Sequence, residues 1–290
     1  MRFSWDLLEP VMPVPYVPTL GPARWDDPLH DLFEAVVENA ATDGFLPYDK
    51  DRRWSETKTE RVLADAVEHG QELTLIPTLA ERGGGVVKVY VYGSVPDSLS
   101  AGSILARKLA AVHGAGKARI VWFLSPDQPE AYAKAVGTCV QLKDFTDGPG
   151  EPSVIQVHEY KQLADPVCFA AFAEEMAPDG FAFLYEQMQA GTVGPVLVVL
   201  QGGHVAGAIG PMETMGDAAG RARLLPQYFG VLPQYRGCGF GRALWRAAMH
   251  WGHQQGAAYQ LLQTEVGGPS DRLCAAEGLT SLGFVNQSAA

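Results

Sequence analysis

This chain of 290 residues has little that would draw it to a polyanion, a metal or a membrane. Basic residues are scarce: 22 Lys and Arg stand against 33 Asp and Glu, a formal net charge of −11. Residues 1–152 hold 15 basic and 22 acidic side chains, a balance of −7; residues 153–290 hold 7 and 11, a balance of −4. Nucleic-acid binding is driven largely by neutralising phosphates, so neither half is expected to have such a partner. Cysteine is rare as well. Cys139, Cys168, Cys238 and Cys274 are far apart, without metal-ligand spacing or the density of a disulfide framework, so no metal is expected. No apolar run reaches the length of a membrane span. The opening residues are broken by Pro10, Pro13, Pro15 and Pro18 and lack a basic segment followed by an apolar core, so they do not read as a secretory leader. The expected address is cytoplasmic, with no membrane partner, and a homodimer is allowed.

What remains has the balance of a globular protein, 47% hydrophobic and 19% charged. The length accommodates two ordinary domains. Residues 146–152 (Thr-Asp-Gly-Pro-Gly-Glu-Pro) contain no apolar side chain and many turn formers, and they read as a linker. The expected domains are therefore 1–147 and 153–290. In the second, strands are predicted over 154–160, 195–200, 205–209, 223–231 and 258–265. Gln201-Gly202-Gly203-His204 forms a hairpin turn. Helices are predicted over 166–175, 181–189 and 239–255, with a last one starting near Gly268 and ending at Gly283-Phe284. In the first half, helices are predicted over 28–41, 55–69, 101–112 and 129–136, and strands over 72–79, 86–95, 119–124 and 139–142. The two orders are similar enough for the halves to be either diverged copies of one fold or unrelated partners.

The stretch from Val231 to Leu244 carries the chemistry. A strand ends at Val231-Leu232-Pro233, a turn holds Arg236, Gly237, Cys238, Gly239, Phe240, Gly241 and Arg242, and an amphipathic helix follows. The first amides of a helix lack internal partners, and the helix dipole adds positive charge there. Glycines let several amides converge on one anion, for which a diphosphate is a good fit. Arg236 and Arg242 can add charge-assisted bonds. A dinucleotide fingerprint would need a glycine where Arg242 stands, and the antiparallel strands ahead of the turn do not suit a doubly wound sheet.

Arg236-x-x-Gly239-x-Gly241, preceded by Val231-x-Pro233, resembles the acetyl-CoA pyrophosphate loop of the GNAT (Gcn5-related N-acetyltransferase) superfamily. The order of elements over 153–286 is similar too, and Leu282-Gly283-Phe284 resembles the family's ending. The resemblance implies an α/β (α+β) fold: a mixed, mostly antiparallel sheet flanked by helices, with a β-α-β acetyl-CoA-binding core. The first half would be a degenerate GNAT-like domain without the loop, giving a tandem arrangement. Acetyl-CoA would be the co-substrate. Val231 and Leu232 would lie along the pantetheine arm, and the backbone of Arg236, Gly237, Cys238, Gly239, Phe240 and Gly241, with Arg242, would hold the pyrophosphate. The family often has a tyrosine where this chain has Leu279, and an asparagine early in the last helix where Ser270 and Asp271 stand. The final strand expected of the family is cut short six residues after Phe284; either the first half or residues 1–20 could complete that edge.

The implied activity is N-acyl transfer to a small-molecule amine by direct attack in a ternary complex, in secondary metabolism or antibiotic modification. Alternatives are a protein N-acetyltransferase and a non-catalytic acyl-CoA-binding regulator. Aligning two reactants supplies roughly 7–11 kcal/mol of the barrier, and one oxyanion donor about 2.7–4 kcal/mol. Candidates for the general base are Glu265, Tyr228 and Glu213, each weighed against an ordinary surface or packing role. His250 and His253 read as a solvated helix face. Trp245 and Trp251 read as core, and Cys238 has no partner pattern for a nucleophile.

Overall fold

The computed structural model describes residues 16–17, 21–22, 60–69, 73–81, 83–93, 97–124, 137–163, 168–216 and 220–290. The helices expected over 28–41 and 129–136 lie outside these residues. By compactness the chain forms two units. Unit 1 gathers 1–142, 217–219 and 262–290; unit 2 gathers 143–216 and 220–261. This division departs from the expected one at 147–153, because the last 29 residues count with the first half.

A short pair, β1 (Tyr16–Val17) and β2 (Gly21–Pro22), comes first. The helix expected over 55–69 is not what residues 60–69 form. They make β3 (Glu60–Val62), a 3₁₀ turn, and β4 (Glu68–His69), which pair with opposite ends of β5 (Leu73–Ala80). Pro77 lies between those two pairings, where no ladder donor is needed on that edge. β5 runs antiparallel to β6 (Val86–Gly93), and helix α1 (Asp97–His113) then crosses over to β7 (Lys117–Leu124), parallel to β6. Leu75, Val87, Val89, Val91 and Ile120 from the strands pack with Leu105, Ala106 and Leu109 of α1 into one core. Gly102 sits at the contact: a Cβ there would lie 2.6 Å from Val91 Cγ2. Its role is helix-on-sheet packing. β8 (Gly137–Asp144) closes this stretch.

Unit 2 begins with β9 (His158–Glu159), followed by α2 (Phe169–Glu175) and α3 (Phe181–Ala190). The hairpin of β10 (Leu197–Gln201) and β11 (His204–Gly210) turns through Gly202 and Gly203, both at positive φ, at the four residues expected. Next come β12 (Thr214–Gly216), β13 (Ala222–Leu224) and β14 (Tyr228–Val231). Helix α4 (Phe240–Gln254) and β15 (Tyr259–Glu265) follow. β9, β10, β11 and β14 form an antiparallel sheet with β14 at its edge. Edge-on ring contacts link Tyr160 to Phe169, Phe169 to Phe172 and Phe172 to Phe181, and Tyr228 closes the chain against Phe181. Leu244, Ala248 and Met249 bury the inner face of α4, with Trp245 5% exposed and Trp251 half-buried.

The chain then returns to unit 1 through α5 (Pro269–Ala276) and β16 (Thr280–Ala289). Here two expectations are corrected. The last helix stops at Ala276, and Leu282-Gly283-Phe284 lies inside a ten-residue strand. That strand is inserted between β7 and β8, antiparallel to both, with Phe284 opposite Leu124 on one side and Cys139 on the other. The first half completes the edge, as one of the two expected options had it. Backbone pairing on both sides of β16 is the reason the carboxy-terminal residues count with the amino-terminal ones. The whole is a mixed α/β architecture in which antiparallel pairs predominate.

Candidate functional site

The strand expected over 223–231 is two strands. β13 runs parallel to β15, with Arg223 opposite Tyr259 and Leu224 opposite Gln260; β14 leaves to pair with β11 instead. Pro226 lies at the break, and proline cannot donate to a ladder. The faces change over as well. Leu224 packs against Gly252 of α4, where an added Cβ would meet its Cδ2 at 2.8 Å. Beyond the break it is Phe229 and Val231 that approach Gly241 of α4, while Gly230 meets Met176 and Phe181. Side chains in an unbroken strand keep one parity per face, so Leu225-Pro226-Gln227 has slipped the alternation by one residue, as a bulge does. Two strands that start adjacent thus splay into a fork.

Two glutamines hold that fork. Gln260 Nε2 donates to Gln227 Oε1 at 2.9 Å and to Leu225 O at 3.4 Å, and Gln227 Nε2 also donates to Leu225 O. A backbone carbonyl only accepts, so both amide nitrogens must face it, and that fixes how the Gln260 side chain is turned. Its Oε1 is then left buried with no hydrogen-bond partner among the described residues. On the other flank, Leu225 N donates to Glu213 O at 3.0 Å. Neither glutamine was singled out in the sequence; the signal available was a proline inside a strand-like run.

Beyond the fork, β14 leads into the glycine turn. Leu232 N donates to Ala206 O at 2.9 Å and ties the turn's entry to β11's sheet. Gly237 and Gly239 have φ of 82° and 83°, a conformation that L side chains rarely adopt. Space above Gly237 is open, and a Cβ on Gly239 would come within 3.3 Å of Ile155. Gly239 caps α4 without any side-chain acceptor, and the helix's first turn holds no acid. The amides of Phe240 and Gly241 therefore stand in the first turn, at the positive end of a 15-residue helix, where the helix itself offers no acceptor. Arg242 and Cys238 are exposed beside them. Arg236 Nε donates to Val231 O at 3.1 Å and its amide to Pro233 O at 3.3 Å, which braces the turn. The residues fit a diphosphate through bare backbone and Arg242.

The three candidate bases are dispersed. Glu213 is half-buried beside the fork, its Oε1 accepting from Gly194 N at 3.1 Å. Tyr228 is buried at 4% exposure, its ring under Gly180 and Phe181. Glu265 is exposed at the end of β15 and belongs to unit 1, whereas Glu213, Tyr228 and the glycine turn belong to unit 2. In unit 1, Asp271 fastens the loop after Glu265: Oδ1 accepts from Gln141 Nε2 at 2.8 Å and Thr264 Oγ1 at 3.0 Å, and Oδ2 from Gly267 N at 2.9 Å. Nearby, burial pushes the Cys274 thiol up to about 12 and raises Cys139, whose Sγ lies 3.2 Å from Ser281 Oγ. His253 is exposed, with its ring edge on Phe145, while His250 Nε2 is buried without a partner among the described residues. Among those residues no group of His, Cys, Asp and Glu is placed to hold a metal ion, and no helix is long and apolar enough to cross a membrane.

Residues 157–275 match the model of the acetyltransferase (GNAT) family. The carboxy-terminal half of this chain carries a GNAT domain. The match runs from the start of β9 through the fork and the glycine turn to α5. GNAT acetyltransferases use acetyl-CoA as acyl donor, which supplies the diphosphate that the turn fits and a thioester to react. Among solved structures, an acetyltransferase of the GNAT family from Colwellia psychrerythraea is similar at 14% identity over 91% of this chain and 97% of its own, with a TM-score of 0.50. A GCN5-related N-acetyltransferase from Sphaerobacter thermophilus is similar at 15% identity, covering 89% and 91%, with a TM-score of 0.49. A tandem GNAT protein from the clavulanic acid biosynthesis pathway aligns at 15% identity over 75% and 79%, TM-score 0.42. At these identities the likeness is one of fold. No curated protein matches the chain.

Proposed function

We propose that the GNAT domain transfers an acetyl group from acetyl-CoA to the nitrogen of a small-molecule amine, by direct attack within a ternary complex. The supporting observation is the succession, within unit 2, of the base of the fork at Leu225 and the glycine turn. Among the described residues β14 is the edge strand of its sheet, and it leads into Gly237 and Gly239 at positive φ, the latter capping α4. An extended ligand can lie along such an edge with its diphosphate on the helix terminus and its other end at the fork. Aligning thioester and amine there is the main catalytic contribution, worth roughly 7–11 kcal/mol when both are held as near-attack conformers.

Glu213 is the group we assign to take the amine's proton. It is half-buried, and its own carbonyl is bonded to the fork at Leu225. The Gly194 amide orients the carboxylate. Tyr228, packed under Gly180, serves better as the floor of the sheet. Cytoplasmic location, the amino-terminal half as a degenerate GNAT-like copy, and a role in secondary metabolism or antibiotic modification belong to the same reading.

Titration calorimetry with acetyl-CoA, followed by thiol release with a panel of amines, tests it. Binding in the micromolar range and turnover of at least one small amine are expected. Binding with turnover only of peptide amines would favour a protein acetyltransferase. Binding without turnover of any acceptor would favour an acyl-CoA-responsive regulator, for which the leucine at position 279 is the sequence feature in support. An absence of binding would end the reading.

A further inference from the structure

We infer that Arg223 receives an anionic group of the acceptor, so that the amine acetylated by this protein also carries a carboxylate. This rests on the acyl-transfer reading above and narrows it to an amino-acid-like substrate.

The observation is a buried cation with no carboxylate paired to it among the described residues. Arg223 is only 9% exposed, and its Nε is buried with no hydrogen-bond partner among the described residues. Its directly paired neighbours across the sheet are Met215 on β12 and Tyr259 on β15, neither of which is a carboxylate. Taking a guanidinium out of water costs several kcal/mol unless charge and hydrogen bonds are returned to it. A buried donor left open in a folded protein calls for an explanation, and a ligand that completes it is one. In a chain of net charge −11, counter-ions for a guanidinium abound, so an arginine kept from them is a local exception.

The place supports the same reading. Leu224 points to α4 through its contact with Gly252, so Arg223, next to it in β13, is on the opposite face of the sheet. Arg221, just ahead of β13, has its guanidinium 5.7 Å from the centre of the ring of Tyr259, the residue paired with Arg223 across the sheet. Two arginines thus flank one tyrosine within three residues, two positions before Leu225, where the fork opens. A planar guanidinium pairs with carboxylate through two parallel hydrogen bonds, and the open Nε–H can supply one of them. A substrate anchored there by its carboxylate would present its amine within reach of the fork; the carboxylate, unlike the amine, is unchanged by the reaction.

The test uses acceptors that differ only in this group: L-amino acids, diamino acids included, against their carboxamides, assayed by thiol release on the full-length protein and on Arg223→Met and Arg223→Lys. The wild type is expected to favour the acids by tenfold or more in kcat/KM. Arg223→Met should erase the preference by raising KM for the acids, with acetyl-CoA affinity unchanged, and Arg223→Lys should keep part of it. If no member of the panel turns over, thermal unfolding with each acid and its amide at millimolar concentration is the readout. Stabilisation by an acid that disappears in Arg223→Met supports the inference. Equal response to acids and amides, in rate or in thermal shift, overturns it. The ligand-free variant is a separate check: removing an uncompensated charge should leave Tm unchanged or higher, and a fall of more than about 5 °C would mean that Arg223 is satisfied within the fold. Failure of acetyl-CoA to bind would defeat the acyl-transfer reading alone, since the carboxylate shift is measured without it.

Discussion

Gln260 Nε2 and Gln227 Oε1 meet at 2.9 Å across the fork, tying the strand that stays to the strand that leaves. The same Gln260 nitrogen reaches Leu225 O, the last backbone acceptor before Pro226. Gln260→Leu would remove these bonds together with the unsatisfied Oε1. Losing bonds costs about 1 kcal/mol each, and removing an unpaired buried acceptor returns a similar amount. Unfolding in urea should therefore show a stability change within about 1 kcal/mol. The expected damage is to alignment: kcat/KM for the amine falls about tenfold or more with acetyl-CoA affinity little changed. A large loss of stability with intact kinetics would show the pair to be scaffolding.

Gly239 is the residue that the glycine turn can least replace. Gly239→Val would put a β-branched side chain at a φ of 83° and its Cβ within 3.3 Å of Ile155. Combined with Arg236→Ala, which removes the brace on Val231 O, acetyl-CoA affinity in calorimetry should drop at least tenfold while circular dichroism stays near native. Unchanged affinity would place the cofactor elsewhere.

Gly180→Ala should be costly for a different reason. Its φ of 87° disfavours any side chain, and the new methyl would lie 2.5 Å from Tyr228 Cε1. Strain and overpacking together predict a loss of about 2–4 kcal/mol in urea unfolding. A loss below 1 kcal/mol would mean the Tyr228 ring shifts freely, and its packing role would then be in doubt.

The four cysteines should separate into two pairs by reactivity. Cys168 and Cys238 are exposed; Cys139 and Cys274 are buried with raised thiol pKa. Iodoacetamide at pH 8, read by mass spectrometry, should label the first pair in the native protein and all four after denaturation. Acetyl-CoA should slow labelling of Cys238 and leave Cys168 unchanged. Cys274 also predicts a pH dependence. Its folded value of about 12 exceeds the ordinary 9.0, so the folded state holds its proton more tightly. That contribution is complete below pH 9 and is lost as the pH climbs toward 12, which a falling urea midpoint over that range would report.

Much of the site could be read along the chain because its key part is local. Arg236 through Arg242 are consecutive, and a strand, a glycine turn and an amphipathic helix are each set by short-range preferences. The hairpin at Gly202-Gly203 was legible for the same reason. The fork was not. It depends on Pro226 interrupting one ladder while Gln260, 34 positions on, returns to hold the gap. Residues 60–69 form strands in place of the expected helix because their pairing partners lie on β5, outside any local window.

By itself, the order of residues determined the glycine turn, the helix behind it and the acidic balance of the whole, since each follows from neighbouring side chains or from a sum over them. Only the folded chain decided that β16 slots between β7 and β8, that Arg236 bonds Val231 O, and that Arg223 is buried with its Nε open among the described residues. Those outcomes rest on hydrogen bonds and burial between residues far apart in sequence, which local preference and composition do not specify.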